Sequence, residues 1–296
     1  MSSSAFLVRV HGSIDREQPP ANHDVARPCQ ARFITGMEET AGSTGRTALV
    51  TGAAGGIGQS ICEALAAAGM AVAVHYHTHA EAAGSLADRL RGQGVQAVAY
   101  GADVTNPDAA RDLVRRVDDG LGGIDILVNN AGITVGGLNV ADTETDAWLH
   151  MVDVNLNSVF YLCRAAIPLL QARGGGHIVN VSSNIVNSLP GGSSAYAATK
   201  SALVAFTKVL SKEVARDNIR VNALSPGLIA AGMGQGAMDR RDPAVLERFI
   251  DTIPLGRPGE AQEIASVVAF LVSDAASYLT GQNLTVNGGD RTESYQ

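Results

Sequence analysis

The strongest constraint on this chain is an alternation. From Arg46 onward, short apolar and β-branched runs take turns with longer helical patterns, the runs being TALV, AVAVHY, VQAVAY, DILVNN, HIVNVSS, IRVNALS and NLTV. Runs this continuous show no polar face to water, so they predict strands buried on both sides, and the helices between them predict parallel crossovers. The expected fold is α/β, a doubly wound parallel sheet in one domain. A chain of 296 residues with 46% hydrophobic content is long enough to bury such a sheet, which excludes disorder of the whole.

A formal charge of −7 and a pI near 5.5 leave no general basic surface, so neither nucleic acid nor anionic lipid is an expected partner. No run approaches the roughly 18 apolar residues of a membrane span, and AFLV near the start is too short for a signal-peptide core. Cys29, Cys62 and Cys163 stand far apart and form neither a ligand cluster nor a paired framework. A soluble protein in a reducing, cytoplasmic setting is expected. Residues 1–43 mix prolines, glycines and charges without periodicity, so they read as a poorly ordered extension ahead of a catalytic domain at 44–296, with Met37 as an alternative start.

The segment TALVTGAAGGIGQSICEALAAAG places Gly52, Gly56 and Gly58 between a strand and a helix, around Ile57. Glycine serves there if the turn needs positive φ, or if a diphosphate must approach backbone N–H groups at a helix N-terminus. A tight turn with no ligand also explains the cluster. Further along, SAYAATK puts Tyr196 and Lys200 at i and i+4, on one helical face. An exposed pair or an acid–base pair would both fit.

These segments together resemble the short-chain dehydrogenase/reductase family, which carries a TGxxxGxG turn on a Rossmann-type sheet. NNAG at 129–132, ADV at 102–104, DVNLNS, IVNVSS, SPG at 225–227 and LTGQNLTVNGG follow in the family's order, from Arg46 to Gly289. The resemblance implies a nicotinamide cofactor held by Gly52, Gly56, Ile57 and Gly58 at the phosphates. It further implies contacts from Tyr76 and His77 at the ribose, Asp103 and Val104 at the adenine, Asn130, Ala131 and Gly132 beside the adenosine, and Pro226, Gly227 and Ile229 near the nicotinamide.

It also implies that Tyr196 is the acid–base group, that Lys200 holds the nicotinamide ribose and that Ser183 bonds the substrate oxygen. Asn155 is similar to a family residue that bends a helix and fixes a water serving Lys200. Ser182 competes with Ser183, but the spacing of thirteen residues to Tyr196 favours Ser183. Asn155 could alternatively bond only to backbone. A phenol ordinarily titrates near pH 10, and a nearby ammonium and a positive nicotinamide ring are together expected to lower it.

HYHTH at 75–79 would set His75, His77 and His79 on one side of an extended segment. A metal site is not expected, because the end of the second strand is where the cofactor's ribose belongs. Tyr76 stands where NAD-preferring relatives carry Asp, so nothing repels a 2′-phosphate and NADP(H) is favoured over NAD(H). A protonated His77 would bind that phosphate better, so NADPH affinity should weaken as pH rises past neutrality. Gly55 takes the place of the basic residue found in the turn of many NADP-dependent relatives.

The nearest-looking branch holds 3-oxoacyl-(acyl-carrier-protein) reductases, with sugar and polyol dehydrogenases close behind. The expected substrate is a ketone, secondary alcohol or acyl thioester. Dependence on an acyl carrier protein would call for basic residues at the site mouth, for which Arg164, Arg173, Lys212 and Arg216 are candidates, a solvated face being the alternative. A non-catalytic nicotinamide sensor is the reading from another class; it would need the glycine turn but not the acid. AASYLTGQNLTVNGG resembles the segment through which relatives form homotetramers. Ala231 and Gly232 replace the family's threonine and acid, which puts cofactor orientation in question, and the glycine-rich stretch 227–237 reads as a mobile loop before a short helix.

Overall fold

Seven strands form where the apolar runs stand: β1 Thr47–Val50, β2 Ala71–Tyr76, β3 Ala97–Gly101, β4 Ile126–Asn129, β5 Gly176–Val181, β6 Ile219–Pro226 and β7 Asn283–Val286. This computed structural model describes residues 45–290, all in one compact unit. The extension at 1–43, Met37 and Cys29 lie outside the described residues. All six pairings are parallel, in the order β3-β2-β1-β4-β5-β6-β7.

Three helices fill the first crossovers: α1 Gly56–Ala67, α2 Ala80–Gly92 and α3 Pro107–Leu121. Next come α4 Thr145–Val152, a π-helical turn at Asp153–Asn157 and α5 Ser158–Ala172. The short α6 Ile185–Ser188 precedes α7 Ser194–Glu213. Then follow α8 Gly232–Asp239, α9 Pro243–Ile250 and α10 Ala261–Leu271.

Two cores lie on the two faces of the sheet because side chains alternate along each strand. Ala48 and Val50 of β1, with Ile126 and Val128 of β4, face α1, α2 and α10; Leu49 and Leu127 face α3, α5 and α7. Both faces are buried, and each large side chain buried this way contributes about 1.5–3 kcal/mol. Local signals set the helix ends. Asn106 accepts from the N–H groups of Asp108 and Ala109 at the start of α3, Pro107 follows it, and Gly122 closes that helix in the left-handed region at φ 75°. Cys62 and Cys163 are buried, unpaired thiols whose titration burial pushes up. Among the described residues no helix is long and apolar enough to cross a membrane.

Candidate active site

Strands β1, β4, β5 and β6 deliver the singled-out residues to one place, the carboxyl edge of the sheet. The strand order reverses between β1 and β4, and a crevice there is where parallel sheets hold ligands. Gly52 turns the chain at φ 62°, a conformation that costs other residues strain. A Cβ on Gly58 would stand 2.4 Å from the Gly52 carbonyl oxygen, and one on Gly56 would stand 2.8 Å from the Gly232 nitrogen. Helix α1 begins at this turn with Gly55 as its cap, no side-chain hydrogen bond and no acidic residue in its first turn. Its first N–H groups and positive end therefore remain open to an anion. A cavity of about 170 Å³ lies over them, bounded by Gly56, Gly58, Ala131, Gly132 and Ala231. These residues fit a dinucleotide's diphosphate.

Three side chains hold the turn in shape. Thr51 Oγ1 accepts from the N–H groups of Asn130 and Ala131 at 3.0 Å each, and Asn130 Nδ2 donates to the Thr51 and Gly52 carbonyls at 2.9 and 3.2 Å. His75, 1% exposed, accepts from Gly52 N–H at Nδ1 and bonds the Ala102 carbonyl through Nε2. That pairing sets the tautomer with the proton on Nε2, and burial holds the imidazole down to about pH 4. His75 was missed as a site residue; the signal for it was a lone polar residue inside an apolar run.

The ribose end is arranged differently from expectation in one respect. His75 is buried while His77 and His79 are exposed, because β2 ends at Tyr76 and the alternation stops there. Among the described residues no group of three or more His, Cys, Asp or Glu side chains is placed to hold a metal ion. The Tyr76 ring lies against Gly101, where a Cβ would meet it at 2.9 Å. Asp103 is exposed and accepts from the Thr105 hydroxyl at 2.7 Å, which holds its carboxyl below the usual range, while Val104 is buried.

Asn155, Ser183, Tyr196 and Lys200 converge. Asn155 sits in the π-helical turn, and its amide bonds Ile133 on both sides, accepting from N–H at 2.8 Å and donating to the carbonyl at 3.0 Å. A Cβ on Gly132 would stand 3.2 Å from Asn155 Oδ1 and 3.3 Å from Lys200 Nζ, so that glycine lets the two polar groups approach. Lys200 is 3% exposed and its ammonium donates to the Val181 carbonyl at 2.8 Å. The Ser182 hydroxyl is turned onto the backbone of α7, donating to the Lys200 carbonyl. Ser183 instead lines a cavity and hydrogen-bonds the Tyr196 phenol.

The expected lowering of the phenol by its lysine is not found here. Burial raises Tyr196 above its ordinary value, and only the Ser183 hydrogen bond opposes it. The ammonium lies 5.9 Å from the ring centre and is itself pushed down to about 8 by burial. Desolvation outweighs a charge that is neither adjacent nor fully held.

Ser183 and Tyr196 open onto a cavity of about 600 Å³ with Pro226, Gly227 and Leu228 on one wall and α8 and α9 over it. The stretch read as a loop thus contains α8, since Gly232 supplies a bend at φ 53° and the residues after it close a helical turn over Ile229. Ile229 is buried, and Ala231 sits on the glycine turn. The basic residues suggested for a carrier protein do not ring this cavity. Arg173 pairs with Asp125 at 2.6 Å, at the amino edge of the sheet, and Lys212 lies at the far end of α7, about 18 Å along the helix from Lys200.

The family model described as enoyl-(acyl carrier protein) reductase matches residues 52–290. The chain is 39% identical over 246 residues to nodulation protein G of Rhizobium sp. (strain N33), covering 83% of this chain and 97% of that one. It is 38% identical over 244 residues to the 3-oxoacyl-(acyl-carrier-protein) reductase FabG of Staphylococcus aureus (strain Mu50 / ATCC 700699), covering 82% and 97%. A solved 7α-hydroxysteroid dehydrogenase, complexed with NADH and 7-oxo glycochenodeoxycholic acid, superposes with a TM-score of 0.79 at 32% identity, covering 85% and 96%.

Proposed function

The chain belongs to the short-chain dehydrogenase/reductase family, oxidoreductases that act on CH–OH and C=O groups with a nicotinamide cofactor, and from that premise we propose an NADPH-dependent ketoreductase of the 3-oxoacyl thioester type. The observation that carries this reading is that Ser183 and Tyr196, with the Lys200 ammonium 5.9 Å from the Tyr196 ring centre, open onto a cavity whose wall is mostly apolar, including Ile185, Leu228 and Met233. A sugar or polyol would leave hydroxyl groups unpaired against such a wall.

In this reading the open N–H groups at Gly56, Ile57 and Gly58 hold the diphosphate, and Lys200 holds the ribose beside the reacting carbon. A bound nicotinamide supplies or accepts the hydride. Ser183 donates a hydrogen bond to the substrate oxygen where negative charge develops, its own oxygen already accepting from Ile185 N–H at 3.2 Å. Tyr196 gives that oxygen its proton, and burial keeps the phenol protonated until the alkoxide forms. Asn155 keeps Ile133 and the turn after β4 in place, which positions Lys200.

NADPH over NADH is supported by the absence of a carboxylate at Tyr76, His77 and Thr78. A homo-oligomer is supported by fully exposed Tyr278 with Phe270 nearby in sequence, apolar surface that water does not favour. The deciding test is turnover of an acetoacetyl thioester, a β-ketoester and a ketose with each reduced cofactor, followed by its absorbance. Reduction of the thioester with NADPH supports the reading. Ketose-only turnover replaces it with a sugar dehydrogenase, and cofactor binding without any turnover replaces it with the sensor.

A further inference from the structure

The large cavity is polar at its reacting end and apolar over most of its wall, with one basic side chain on it, Arg241, in the connection between α8 and α9. The guanidinium lies 4.8 Å from the centre of the Phe249 ring, so α9 gives it a platform. No ion pair among the described residues engages it. The carboxylates next to it in sequence serve elsewhere. Asp239 accepts from Gln235 at 2.7 Å, and Asp242 caps α9, accepting from the N–H groups of Ala244 and Val245. The cavity's acid, Asp290, accepts from Asn184 Nδ2 at 3.0 Å and so belongs to the end where Ser183 stands.

A guanidinium that borders an apolar cavity, rests on an aromatic face and has no carboxylate partner among the described residues is suited to an oxyanion brought in by the ligand. We propose that Arg241 is a specificity-determining residue that selects ketones carrying an oxyanion, a carboxylate or a phosphate ester, on an apolar body remote from the reacting carbonyl. The inference rests on the ketoreductase reading, which places the carbonyl at Ser183 and Tyr196. Met233 and Ala237 add apolar surface to the same cavity.

The test uses a methyl-ketone series on a saturated chain that ends in a carboxylate, its methyl ester or a phosphate ester. Each is assayed with the full chain and with Arg241→Gln and Arg241→Lys, and the carboxylate and ester are also titrated by calorimetry. One charge-assisted hydrogen bond predicts a preference of about tenfold for an anionic member over the ester, expressed in KM and in Kd. Arg241→Gln should abolish the preference while leaving ester turnover intact, Arg241→Lys should retain part of it, and added salt should shrink it. A larger preference for the carboxylate or for the phosphate ester identifies the source of the oxyanion. Equal treatment of ester and anions by the unaltered chain, or the same preference in Arg241→Gln, overturns the proposal. Calorimetric preference without turnover of any ketone would instead overturn the ketoreductase reading and leave the anion site standing.

Discussion

The glycine turn and the α8–α9 cover meet across the same crevice but are built on opposite principles. The turn is held from three sides by Thr51, Asn130 and His75, and a single added carbon on Gly58 would overlap backbone. The cover has Met238 as the buried residue of α8 and none in α9, and a carbon added to Gly236 would meet only the end of the Arg240 side chain, at 3.2 Å. A surface that grips a fixed cofactor has to be rigid, whereas one that admits a particular substrate can vary at little cost to the fold.

The sharpest way to break this contrast is Tyr196→Phe. Loss of the acid should lower kcat by about 10²–10⁴-fold, measured by consumption of the reduced cofactor, with cofactor affinity nearly unchanged. Comparable loss on altering any cover residue would erase the distinction. Next is acid. His75 has a folded value of about 4 against an ordinary 6.5, so below pH 6.5 the unfolded chain takes up a proton that the native one refuses. Stability is therefore fully present above 6.5 and is lost as pH falls toward 4, by up to about 3 kcal/mol. Denaturant melts across that range should show the slope, and His75→Gln should flatten it in part, since half-buried His177, held down to about 3, acts in the same direction.

Gly58→Ala should cost about 1–3 kcal/mol of stability and weaken cofactor binding at least tenfold, read by melting and by titration. Gly236→Ala, in the middle of α8, should instead stabilise by about 0.5–1 kcal/mol and leave cofactor affinity unchanged. Equal responses at the two glycines would show that turn and cover are equally rigid.

The same contrast governs what could be read before the structure. The strands were legible because runs such as ALV and ILV must be buried on both faces, and the glycine turn because backbone contact with an anion leaves a spacing. Tyr196 and Lys200 were legible as neighbours because helical period alone puts them on one face. Their titration was not, since desolvation depends on everything packed around them. His75 escaped because a lone polar residue in an apolar run marks a buried polar group but not its partner, and the bond to Gly52 N–H is made between two strands. The basic residues could be listed but not placed, and Arg173 lies at the opposite edge of the sheet from the cavity. The α8 helix was hidden by its glycines, whose low propensity is overridden by packing over Ile229.

The π-helical turn at Asp153–Asn157 has a consequence for length variation. Such a turn accommodates one residue more than a continuous α-helix would, with Ser158 N–H reaching back to the Asp153 carbonyl, while the helices on either side keep their facing. Removing one residue there would let α4 and α5 join as an unbroken helix, leaving the fold intact and taking Asn155 out of reach of Ile133. A shortened homologue could thus look sound by every measure of folding and have lost its chemistry.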